Sequence, residues 1–157
     1  MLKINGLSII SHVYKIALEA DIGEVFVAAE DQEIIEDVKK NGGEAILTNN
    51  NHKTGTDRIY EAFVKLGRTD IDLIMNLQGD EPLMNIEDIQ KLNKHMIQTK
   101  RDLGTLAAKI NNKKVFENRD IVKVITEESL DDTKFPRAIN FMRKLDKENN
   151  QAYHHLG

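Results

Sequence analysis

Over the first hundred residues, short apolar runs alternate with apolar stripes of helical spacing, and few folds accommodate that order. Ile9, Ile10, Val13, Ile16, Ala17 and Ala20 recur at intervals of three and four, which predicts an amphipathic helix over residues 6–20. The chain is therefore expected to begin with a helix. Residues 24–29 read as a short buried strand. Residues 31–40 read as a helix with Asp31 as its cap and Ile34, Ile35 and Val38 facing inward, closed by Asn41-Gly42-Gly43. A strand over 44–48 follows, then a helix opened by Thr54-Gly55-Thr56-Asp57-Arg58 with Ile59, Ala62, Phe63 and Leu66 on one face. Leu73 to Leu77 is apolar apart from Asn76 and shows no alternation, as a parallel strand covered on both faces would. Asn85 then caps a helix to about Lys100, with Ile86, Ile89, Leu92, Met96 and Ile97 inward. This succession predicts an α/β fold with a mainly parallel sheet.

Beyond Leu103 the pattern is less regular. Leu103–Ile110 and Ile121–Ile125 are strand-like, with only Val115-Phe116 as an apolar segment between them, and a weak strand is expected near Phe135 to Phe141 within the charged stretch 129–150. The chain has 157 residues, a length suited to one domain with a single core. No apolar run approaches the roughly 18 residues of a membrane span, so a soluble chain without membrane insertion is expected. With no cysteine, thiolate nucleophiles and thiolate metal sites are excluded, and the composition is compatible with the cytoplasm. A net charge of −4 argues against a nucleic-acid surface, though not against a single nucleotide.

Doubly wound domains normally open with a mid-sheet strand whose following turn holds phosphate at the first helix. Here the first helical stripe begins within a few residues of Met1, and Gly6, Gly23, Gly42, Gly43 and Gly55 form no Gly-rich phosphate loop. Candidate chemistry lies elsewhere. The strand at Leu73 runs into Gln78-Gly79-Asp80-Glu81-Pro82, and in open α/β sheets ligands sit beyond the carboxyl ends of strands, where Gln78 and Asp80 would project. A carboxylate there suits a hard cation such as Mg²⁺. Arg58 stands in the first turn of a helix, where free N–H groups favour an anion and the guanidinium fork matches a carboxylate or phosphate. Considered alone, an ordinary N-cap and a decorated loop are the better explanations of the two stretches.

Together, however, His52-Lys53-Thr54-Gly55-Thr56-Asp57-Arg58-Ile59 and Asn76-Leu77-Gln78-Gly79-Asp80-Glu81-Pro82 resemble two motifs of the 3-deoxy-manno-octulosonate (Kdo) cytidylyltransferases, the CMP-Kdo synthetases. Gly42-Gly43-Glu44, Gly104-Thr105-Leu106-Ala107, Val122-Lys123-Val124 and His155-Leu156-Gly157 match in the same order. The resemblance implies a nucleotide-diphospho-sugar transferase fold, Rossmann-like, with residues 1–157 as a single incomplete cytidylyltransferase domain whose first strand is missing. It implies transfer of CMP from CTP to Kdo for lipopolysaccharide synthesis, Mg²⁺ as cofactor, a cytoplasmic location, and a homodimer for the full-length family. By position it makes Asp80 a metal ligand, gives Asp80 and Gln78 catalytic roles, lets Arg58, Gln78 and His155 bind the sugar acid, and sets Thr54 and Gly55 near the nucleotide.

Departures from the family pattern qualify these expectations. The family's opening strand and basic phosphate-gripping turn have no counterpart before Leu2-Lys3-Ile4-Asn5-Gly6, and its sugar-binding segment and second metal-binding Asp would follow Gly157. Lys134-Phe135-Pro136-Arg137-Ala138-Ile139-Asn140 stands where the family carries Phe-Ser-Arg-Ala-Pro-Ile-Pro. An inactive or impaired fragment is the implied state, and a non-catalytic nucleotide-binding or interaction module is the competing possibility. His52 either orders the loop before Thr54 or is a plain turn residue.

Overall fold

A computed structural model describes residues 2–131, 134–145 and 151–156, which fall into two compact units meeting in sequence at Asp102/Leu103. Leu2 to Ser8 departs from the sequence expectation of an immediate helix. β1 (Lys3–Ile4) and β2 (Leu7–Ser8) form an antiparallel hairpin. Asn5 at φ 48° and Gly6 at φ 81° supply the two left-handed positions that a tight hairpin turn needs, a signal the periodicity of the following helix obscures. The helix itself, α1 (Ile9–Ala20), starts where Ser8 caps it, the hydroxyl accepting from the Ser11 N–H at 3.3 Å.

In the first unit, β3 (Val27–Ala29) pairs in parallel with β4 (Ala45–Leu47), and α2 (Gln32–Lys40) crosses between them with Asp31 as its cap. Val27, Ala29, Ile35 and Val38 form the buried cluster, with Ile10, Tyr14, Ile34 and Ala45 packed around it. Burying a side chain such as Ile35 or Val38 contributes roughly 1.5–3 kcal/mol. Gly42 at φ 81° closes α2, and Gly43 sits so tightly that a Cβ would lie 2.7 Å from Val38 Cγ1 and 3.1 Å from the Tyr14 ring. α3 (Gly55–Leu66) and α4 (Ile86–Thr99) follow, the latter capped by Asn85 and buried along Ile89, Leu92 and Met96. Ile97, expected inward, is 61% exposed.

Leu73–Leu77, expected as a parallel strand, belongs to no sheet. A strand is defined by its neighbours, and among the described residues none of the backbone groups of residues 71–77 bonds to another residue. Leu73, Met75 and Leu77 are nonetheless half-buried. Arg68 joins the two flanking segments, bonding Glu24 at 2.8 Å ahead of β3 and Asp70 at 2.7 Å ahead of this run. β3 and the run therefore start at one end of the unit, and among the described residues β3 is paired on one side only.

The second unit is an antiparallel four-stranded sheet in the order β5-β8-β6-β7: β5 (Leu106–Lys109), β6 (Lys123–Thr126), β7 (Ala138–Met142) and β8 (Ala152–Leu156). A short helix, α5 (Lys113–Glu117), occupies the Val115-Phe116 segment. Among the described residues, parallel pairing is thus confined to β3 and β4. β8 is central because Leu106 to Lys109 pair along one edge with Leu156 to Tyr153, while Lys123 and Val124 pair along the other with His154 and Tyr153. β7 is the expected weak strand, shifted to 138–142 and almost wholly exposed. Lys123 is the least expected core residue. It is fully buried, and its ammonium donates to the carbonyls of Asn118, Ile121 (2.9 Å) and Arg143 (3.1 Å). Burial, with a smaller contribution from the Arg143 charge, pushes its pKa below the usual lysine value.

Candidate active site

The loop after β4 and the first turn of α3 form one polar structure. Thr54 caps the helix: its hydroxyl accepts from the Asp57 N–H at 3.1 Å and donates to the Asp57 carboxylate at 2.7 Å. Asp57 in turn places negative charge at the positive end of the helix. Gly55, the first helical residue, has nothing within 4 Å of where a Cβ would be, so the helix mouth is open. Arg58 is 19% exposed. One edge of its guanidinium is fixed by Nη1, which donates to Thr48 Oγ1 at 2.7 Å and to the Asn49 carbonyl at 3.2 Å. On the other side Nη2 pairs with the carboxylate of Glu30 at the end of β3.

Glu61, one turn further along α3, gathers the loop. Its carboxylate accepts from the Asn49 N–H at 3.1 Å, the Asn49 side-chain amide at 3.1 Å, His52 Nε2, and Lys65 Nζ at 2.7 Å. Lys65 and His52 are the main reasons that its pKa falls from 4.5 to about 2. Lys65 also donates to the Leu47 carbonyl at 2.7 Å, tying the helix to β4. His52 therefore orders the loop. Thr48, Asn49, Glu61 and Glu30 were not singled out by the sequence motifs. The i,i+4 spacing of Glu61 and Lys65 is the one local signal for them, whereas Glu30 reaches Arg58 across 28 positions through the parallel strand order.

Gln78 and Asp80 stand on the second predicted loop. The Gln78 carbonyl accepts from the Glu81 N–H at 3.2 Å, closing the turn, and Gly79 lies where a Cβ would be 2.8 Å from Ile10 Cδ1 on α1. Gln78 is half-buried, and Asp80 is exposed with no hydrogen-bond or ion-pair partner among the described residues. Among those residues no group of three or more acidic or histidine side chains could hold a metal unaided. One free carboxylate suits a hard cation whose other ligands are water and phosphate, the arrangement usual for Mg²⁺. Asp80 is the residue here that fits that role.

His155 belongs to the second unit. The Thr105 hydroxyl donates to the Leu156 carbonyl at 3.2 Å, which leaves it to accept from His155 Nε2 at 2.9 Å, and the imidazole meets Phe141 edge-on with centroids 5.2 Å apart. The neighbouring Gly157 and residues 132–133 and 146–150 of the 129–150 stretch lie outside the described residues.

Residues 1–156 match the family model described as "Cytidylyltransferase". The chain belongs to the cytidylyltransferase family. Named relatives within it are the 3-deoxy-manno-octulosonate cytidylyltransferases of Thermodesulfovibrio yellowstonii, 41% identical over 95% of this chain and 63% of that protein, and of Afipia carboxidovorans, 37% identical over 100% and 64%. The one from Legionella pneumophila Philadelphia 1 is 33% identical over 99% and 62%. The chain thus spans somewhat under two thirds of the length of the curated relatives it matches. A solved structure of CMP:2-keto-3-deoxy-manno-octonic acid synthetase complexed with CTP superposes with a TM-score of 0.81 at 34% identity, covering 99% of this chain and 64% of that one. The fold is accordingly the α/β nucleotide-diphospho-sugar transferase fold. Among the described residues no helix is long and apolar enough to cross a membrane.

Proposed function

We propose that the chain serves a nucleotidyl transfer in which CMP passes from CTP to 3-deoxy-D-manno-octulosonate, giving CMP-Kdo and pyrophosphate for lipopolysaccharide synthesis in the cytoplasm. Residues 1–157 are read as one cytidylyltransferase domain. The observation that carries this is the construction of the two motif loops: a braced helix mouth left open at Gly55 beside Arg58, and a turn presenting an Asp80 that has no partner among the described residues. Relatives named for this reaction, and a matching structure holding CTP, support it.

In the reaction, a sugar-acid hydroxyl oxygen bonds to the α-phosphorus and the bond from that phosphorus to its bridging oxygen breaks. The electron pair leaves with pyrophosphate and the hydroxyl proton passes to water. Such catalysis rests on positioning and on charge stabilisation. Arg58, immobilised on its Thr48 and Asn49 edge, offers a fixed charged donor to the sugar carboxylate, and the Gln78 amide orients the sugar from the turn. Thr54 and Gly55 give the nucleotide access to the α3 N-terminus. Asp80 would hold Mg²⁺, which when bound neutralises charge on the phosphates.

The test has two arms. CTP with Mg²⁺ should raise the melting temperature of the chain, and Asp80→Asn should abolish the Mg²⁺-dependent part of that shift. Pyrophosphate release on adding Kdo then separates transfer from binding. A shift without release would leave a nucleotide-binding module, and no shift for either protein would overturn the nucleotide assignment.

A further inference from the structure

The Arg58–Glu30 pair is unequal. Arg58 is braced from behind by Thr48 Oγ1 at 2.7 Å and the Asn49 carbonyl at 3.2 Å, and Glu61 holds Asn49 in turn, so the guanidinium has little freedom to move. Glu30 is 45% exposed, no residue other than Arg58 bonds its carboxylate among the described residues, and it follows directly on β3. One partner is built in; the other can swing into solvent. The Nη2 edge is also the edge not committed to the loop, and so the edge a ligand carboxylate would have to use.

We propose that Glu30 is an internal competitor for this edge, a carboxylate standing where the sugar-acid carboxylate binds, and that it thereby sets the affinity and selectivity of the Arg58 site. The inference rests on the assignment of Arg58 to the sugar acid. A carboxylate ligand must displace Glu30, so a weakly basic or poorly oriented anion is rejected while one that also engages a second donor succeeds. Exchange of one carboxylate for another on the same donor leaves the charge of the site unchanged, which keeps the exchange reversible. Half-exposed ion pairs contribute at most about 1 kcal/mol, so removal of the competitor should strengthen binding by about two- to fivefold.

Glu30→Gln tests this in the full chain, because it keeps shape and removes charge. Arginine modification by phenylglyoxal is followed at Arg58 by peptide mass, with exposed Arg101 as the internal standard, with and without Kdo. Circular dichroism confirms that both proteins share one fold. Expected are Arg58 modification two- to fivefold faster in Glu30→Gln and protection by Kdo at two- to fivefold lower concentration than in the parent chain. Unchanged Arg58 reactivity, with Kdo protecting both proteins equally, overturns the competitor role and leaves the sugar-acid assignment standing. Faster modification with no protection in either protein overturns the sugar-acid assignment, and with it the ligand named for the competition.

Discussion

Lys123→Met removes an ammonium while keeping an unbranched stem, so the core volume around β6 is nearly preserved. Three carbonyls, of Asn118, Ile121 and Arg143, then lose their donor. Asn118 and Arg143 are exposed residues whose carbonyls can turn toward water, which places the loss at the low end of the usual range, about 1 kcal/mol per group and ~3 kcal/mol in all. Part of this is offset because a buried charge is no longer desolvated, as the depressed pKa of Lys123 shows. A net destabilisation of about 1–2 kcal/mol at pH 7 follows, a fall in Tm of roughly 2–8 °C for a chain of this size. The pH dependence is sharper. In the folded chain Lys123 releases its proton below 10.5, whereas in the unfolded chain it does so at the ordinary value. Between those two points the unfolded state binds more protons, and the stability of the parent rises with pH. Urea unfolding of both proteins at pH 7, 9 and 10.5 should therefore show the gap between parent and Lys123→Met widening. A variant as stable as the parent at pH 7, or a gap that narrows as pH rises, would refute the carbonyl cage as a net stabilising feature.

Glu61 gives the opposite pH window: its carboxyl is depressed from 4.5 to about 2, so its contribution is complete above pH 4.5 and lost as pH falls toward 2. The Tm advantage of the parent over Glu61→Gln should shrink across that interval, and an advantage constant down to pH 2 would remove the pairing with Lys65 and His52 as its source. Amides of residues 71–77 should exchange hydrogen at close to unprotected rates while those of α4 are protected, since only the latter have acceptors; protection of Leu73–Leu77 would count against the unpaired backbone. Gly43→Ala forces a methyl against Val38, itself 1% exposed, and should lower the urea midpoint by an amount equal to about 1–3 kcal/mol with an unchanged slope.

Local chemistry was legible in the sequence where one residue decides one geometry. Asp31, Thr54 and Asn85 cap the helices they were expected to cap, and the apolar stripes of α1, α2 and α4 bury as spaced, with Ile97 the exception. What was not legible depends on partners distant in sequence. Leu73–Leu77 has the composition of a buried strand, but composition cannot provide a neighbouring backbone. The same limit applies at the site: Arg58 could be picked out as an anion donor, yet its tie to Glu30 exists only because β3 and β4 end side by side. Lys123 lies in the strand-like run Ile121–Ile125, and the return of the chain at Arg143 completes the cage around it.

The contact between Gly79 and Ile10 makes two distant positions a single unit of inheritance. With 2.8 Å between the Ile10 δ-methyl and the place of a missing Cβ, the turn bearing Asp80 tolerates a side chain at 79 only if residue 10 becomes shorter or shifts. Drift at the two positions should thus be correlated: Ala at 79 requires the Ile10 δ-methyl to rotate away or is accompanied by Val or Ala at 10, while shortening residue 10 alone leaves a void beneath the turn. A library randomised at both codons and selected for folding would return such pairs, so the evolvability of the Asp80 turn is set in part by a methyl group on α1.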